Sequence, residues 1–88
     1  MNPPIDPEGP EYQQLLGKAR DAKLRGEAAW GVQSTGERLA VAFVLNRADW
    51  IAETGYSLAE ALDRVGDDWL RMVPLIARQL VHEHPDRG

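Results

Sequence analysis

Seven apolar residues in succession, Leu39-Ala40-Val41-Ala42-Phe43-Val44-Leu45, sit near the middle of an 88-residue chain. A helix that is apolar on all sides must be covered on all sides, so the rest of the chain, or a partner, has to wrap this run. It is far too short to cross a bilayer, which takes about 20 residues as a helix. It can be a buried helix, or a buried strand entered through a turn at Ser34-Thr35-Gly36. The alternating alanines, and the in-phase continuation into Ala48, Trp50, Ile51 and Ala52, favour a helix. Ser34 followed by Glu37 has the spacing of a capping box, in which each side chain satisfies an exposed backbone donor of the first turn. A helix is therefore predicted from Ser34 to about Thr54, with Gly55 as its stop.

The flanking segments carry narrower apolar stripes. Pro10 suits a first helical turn, and Glu11 sits well at the positive end of the helix dipole. Tyr12, Leu15, Leu16, Ala19 and Ala22 then share one face, and basic residues gather towards Arg25. Gly26 can end this helix, although Ala29 and Trp30 continue in phase and would extend it to about Gln33. Ser57 and Glu60 form a second capping box. They open a short helix whose apolar face is Leu58, Ala61, Leu62 and Val65, with Gly66 as its end. Asp67 or Asp68 is expected to cap a last helix, on which Trp69, Val73, Ile76, Ala77 and Leu80 form a stripe. Pro74 lies inside that stripe and is expected to kink or split the helix after Met72. The prediction is an all-α bundle of four helices over residues 10–83. A flexible Pro-rich arm is expected over 1–9, where Pro3, Pro4 and Pro7 fall, and a flexible tail over 84–88.

Composition removes several kinds of chemistry. Without cysteine there are no disulfides, thiolate metal sites or cysteine nucleophiles. A secreted domain of this size usually carries bridges, and Met1-Asn2-Pro3-Pro4-Ile5 is not a leader pattern. A cytoplasmic location is therefore expected. The preference for arginine over lysine, with abundant alanine, suggests a GC-rich bacterial genome. A net charge of −4 and a pI near 5.0 oppose non-specific binding to nucleic acid.

The polar residues offer few candidate sites. Residues 57–80 have the outline of a helix–turn–helix, whose second helix would enter the DNA major groove. That helix opens on Asp67 and Asp68 and contains Pro74, so an acidic, interrupted element would have to face phosphate. His82-Glu83-His84 lacks a third ligand, and residues two apart do not share a helical face. Asp49 and Glu53 look like the polar face of a helix rather than an acid–base pair. Neither Ser34 nor Ser57 lies in a nucleophile elbow, and no glycine-rich loop has phosphate-binding spacing. No catalytic, cofactor-binding or metal-binding residue is predicted, and no cofactor.

Trp30, Trp50 and Trp69 are expected to be mostly core, with at least one available to anchor a contact. Three modest neighbouring helices are not expected to cover Leu39–Leu45 fully, so a homodimer is expected, with Leu39, Phe43 and Trp50 at its interface. The expected function is a small non-enzymatic protein–protein interaction module. The alternative is a small DNA-binding regulator that uses residues 57–80.

Overall fold

The run from Leu39 to Val44 is helical, and it lies at the centre of the molecule. The computed structural model describes residues 4–83, which contain six helices and no strand. They are α1 (Pro10–Arg25), α2 (Glu27–Trp30), α3 (Thr35–Val44), α4 (Ala48–Thr54), α5 (Leu58–Val65) and α6 (Asp67–Glu83). The buried-strand alternative for 39–45 is excluded by the helix. α3 packs against α1, α4, α5 and α6, so Leu39, Ala40, Val41 and Ala42 are each 0% exposed. The shortest dimension of the fold is 20 Å, which is about two helix diameters.

Six helices replace the expected four, for local reasons that can be named. The predicted helix over 34–54 is broken at Asn46, whose φ is +57°. Asn46 N–H donates to Phe43 O at 3.2 Å, and Arg47 N–H reaches back to Ala42 O at 2.8 Å. This is the Schellman arrangement, and asparagine is the usual substitute when glycine is absent from its left-handed position. α4 then starts again in a new direction and ends, as predicted, on Gly55 in the left-handed conformation. The other division is at Gly26 (φ +70°), where α1 stops. The single turn of α2 follows and brings Ala29 and Trp30 into the core.

Both capping boxes form. Ser34 N–H donates to Glu37 Oε1 at 3.1 Å and Ser34 Oγ accepts from Glu37 N–H at 3.3 Å. The matching distances for Ser57 and Glu60 are 2.9 and 3.1 Å. The last helix differs from expectation in two ways. Leu70 N–H donates to Gly66 O at 3.0 Å, so Asp67 and Asp68 occupy the first turn and neither is the cap. Pro74 lies within one continuous helix, Asp67–Glu83, and does not split it.

Residues 4–9, the described part of the expected N-terminal arm, lie against the body. Ile5 packs on the core, Gly9 N–H donates to Asp6 O at 2.9 Å, and Gln13 Nε2 donates to Pro7 O at 2.6 Å. The expected tail at 84–88 lies outside the described residues.

α1 and α6 are joined along their length. Tyr12 Oη donates to Gln79 Oε1 at 2.8 Å, Arg20 makes two hydrogen bonds to Glu83, and Lys23 Nζ donates to Leu80 O at 3.2 Å. The largest core side chains, Trp30 and Trp50, stack with ring centroids 4.6 Å apart and an 18° interplanar angle. Arg38 lies 5.3 Å from the Trp30 ring and Arg47 4.1 Å from the Trp50 ring. No guanidinium fits between indoles this close, so the arginines cover their outer faces.

Two substitution series test these assignments. Asn46→Gly should leave stability unchanged or slightly higher. Asn46→Val should lose about 1–2 kcal/mol in urea unfolding, because a β-branched side chain is strained in the left-handed region that asparagine tolerates. Trp30 Nε1 donates to Arg38 O at 2.8 Å, whereas Trp50 Nε1 is buried and makes no hydrogen bond. Trp30→Phe should therefore cost about 1 kcal/mol more than Trp50→Phe, the net worth of one hydrogen bond.

Candidate interaction surface

α5 has eight residues and only one of them, Ala61, is buried. At roughly 100° per residue, Val65, Leu58 and Leu62 lie about 40°, 60° and 100° round the helix from Ala61, all on the same side. The small side chain at Ala61 is the point of contact with the core, and the leucines beside it are carried outwards. Leu58 is 60% exposed and Leu62 44% exposed. Val65, at the end of the strip, is half-buried and packs against the core. The stripe that the sequence assigns to the core is thus mostly on the surface.

The strip runs through Val65 into a concavity of about 620 Å³ that is open to solvent. Its walls bring together the first turns of α1, α3 and α6 and the last turn of α5, with Glu11, Glu37, Asp67, Asp68 and Arg64 as charged members. Helix N-termini carry positive partial charge, and a carboxylate in the first turn offsets it. Each of the three helices has at least one there. Stabilisation of converging helix ends accounts for their placement.

Glu37 is the most engaged of these carboxylates. It accepts from Ser34 N–H and from Gln14 Nε2 at 3.1 Å, and it lies 3.7 Å from Lys18 Nζ. Partial burial raises its pKa, but the Ser34 backbone, the Gln14 amide and the Lys18 ammonium outweigh this and hold it below the ordinary value. Glu60 is also held low, first by the Ser57 backbone N–H. Arg64, on the opposite flank of α5 from the leucines, lies close to the backbone of Gly36. A Cβ at position 36 would stand 3.4 Å from Arg64 Nη1.

The residues expected at a dimer interface are mainly interior. Leu39 and Trp50 are 0% and 1% exposed, and Phe43 is half-buried against the core. Four neighbours cover the apolar run from within the chain, so the physical argument for a second copy at this place is lost. Trp69 is half-buried and lines the concavity.

The other polar groups have local tasks. Arg47 grips Asp49 through two hydrogen bonds of 3.0 and 2.8 Å, while Glu53 is exposed. Glu83 is bound by Arg20 and Gln79, and His84 lies outside the described residues. Among the described residues no group of three or more His, Asp or Glu side chains could hold a metal ion, and no helix is long and apolar enough to cross a membrane. α5 and α6 are separated by Gly66 alone, shorter than the three- or four-residue turn of a helix–turn–helix.

No family model matches the chain, and no curated protein or solved structure matches it.

Acid should weaken this fold. A carboxylate with a depressed folded pKa contributes stability above its unfolded pKa, about 4.3 for glutamate. That contribution is lost as pH falls through the folded value. Chemical denaturation from pH 7 to pH 3 should show stability falling below about pH 4.3. Glu37→Gln should be less stable than the parent at pH 7 and lose less on acidification. Parallel pH curves for the two proteins would rule out the assigned role of Glu37.

Proposed function

We propose that this chain is a small non-catalytic module that works by binding another protein, with the outer face of α5 as its docking surface. The observation that carries this is the exposure of Leu58 and Leu62 on a helix whose Ala61 and Val65 pack against the core. Two leucines four apart on a helix are neighbours on one face, and such pairs are the anchors by which helices seat in partner grooves. The other strongly exposed apolar residues, Leu24, Val32 and Val81, lie on different elements. A chain without cysteine suits a reducing cytoplasm. Ser34 and Ser57 are taken up as caps, and Asp49 and Glu83 in ion pairs, which favours binding over turnover. A role in reading DNA is disfavoured by Asp67 and Asp68 at the entrance of α6 and by the net charge of −4.

A photo-crosslinking side chain at position 58 or 62 tests the proposal in cells that express the gene naturally. The expected result is one discrete adduct from both positions and none from position 32, a more exposed apolar control. Absence of an adduct at 58 and 62, or the same pattern at 32, would refute the assignment of α5.

A further inference from the structure

The α5 face has its own chemistry, and this limits what can cover it. Eight residues of helix span about 12 Å, and the exposed strip offers two leucines with the edge of Val65. Stable interfaces use about 800 Å² and 20–30 residues on each side. Apolar contact through this strip alone is therefore too small to hold two copies together. Its surroundings are acidic. Asp63 lies about 100° beyond Leu62 on the solvent side and Glu60 about 60° further round, while Asp67 and Asp68 stand at the C-terminal end. Among the described residues none of Glu11, Asp63, Asp67 or Asp68 has an ion-pair partner.

The local balance stays negative when the opposing charges are included. Three helix N-termini supply about half a positive charge each, and Arg64, Lys18 beside Glu37 and Arg71 one turn after Asp67 supply one each. Together they fall short of the six carboxylates formed by the four of the concavity with Asp63 and Glu60 on α5. A second copy docked two-fold on the same face would bring these acidic margins against each other, since an isologous contact pairs a patch with itself.

We infer that the occupant of α5 is a basic amphipathic helix from another protein. It would lay apolar residues on Leu58, Leu62 and Val65, with lysine or arginine side chains reaching Asp63 on one margin and Asp67 and Asp68 at the mouth of the concavity. This rests on the assignment of α5 as the docking surface and adds the charge and shape of the partner. Nucleic acid and anionic lipid carry the wrong sign for this surface.

The test uses the full chain and two synthetic helical peptides. Both carry leucines at positions three and four apart; one has lysine and the other glutamate at the remaining exposed positions. Binding is read by anisotropy of a peptide label. The lysine peptide should bind, and its affinity should fall about tenfold between about 50 and 500 mM salt, as screening shortens the reach of exposed charges. The glutamate peptide should not bind. Leu58→Glu and Leu62→Glu should each weaken binding at least about tenfold, because each puts an acidic group where leucine packs. Asp67→Asn with Asp68→Asn should weaken it less and flatten the salt dependence. Leu24→Glu should leave it unchanged, and circular dichroism of every variant should match the parent.

Equal binding of both peptides, no binding of the lysine peptide, or indifference to the α5 substitutions would overturn the inference. Light scattering that shows a dimer disrupted by Leu58→Glu would assign the face to a second copy and overturn it too. If crosslinking at positions 58 and 62 captures a partner whose docking segment is acidic, the binding module stands and its proposed charge preference falls. If nothing is captured there, both fall.

Discussion

The stretch Leu39–Val44 of α3 is apolar on every side and has to be touched on every side, and the path of this chain is set by that demand. α3 is met by α1, α4, α5 and α6, each approaching from a different direction. No single long hairpin can supply four approaches in so few residues, so the chain must turn often and sharply. Asn46 and Gly26 provide two of those turns in left-handed backbone, and Gly55 and Gly66 provide others. The short helices follow from the enclosure of α3, since each covers one side of it and then gives way to the next.

The same demand explains the aromatic pair. α2 is a single turn, too short to persist as a helix by itself. Trp30 gives it a reason to stay, by stacking on Trp50 of α4 and donating to the carbonyl of Arg38 on α3. Three elements, α2, α3 and α4, are thereby linked through two indoles. The arginines on the outer ring faces extend the stack towards solvent and add cation–π attraction at positions where an aliphatic side chain would give only area.

How far this was legible in the sequence depended on whether the signal was local. The capping boxes at Ser34 and Ser57 are encoded in three-residue spacings, and they formed as expected. Tyr12, Leu15 and Leu16 keep helical period and are buried accordingly. Asn46 was also a local signal, but it lies within a continuous apolar pattern that hides the break, because asparagine is a weaker mark than glycine. The exposure of Leu58 and Leu62 is different in kind. Their spacing shows that they share a face, but only the approach of α5 through Ala61 decides whether that face meets the core or the solvent. The small residue at the centre of the stripe was the clue, and its weight becomes plain only in three dimensions.

Pro74 carries a consequence for how this helix breathes. It contributes no amide hydrogen, so the carbonyl of Leu70 is without its usual donor one turn earlier, and α6 contains a seam that its continuous outline conceals. On the N-terminal side the helix is buried at Met72; on the other it is buried at Ile76 and Leu80 and tied by Gln79 to Tyr12. Local openings that start at the C-terminal end meet the seam after two and a half turns, where the ladder of hydrogen bonds is already interrupted and can stop unzipping. Amide protection on the two sides of Pro74 is therefore expected to differ, with the distal side governed by its grip on α1.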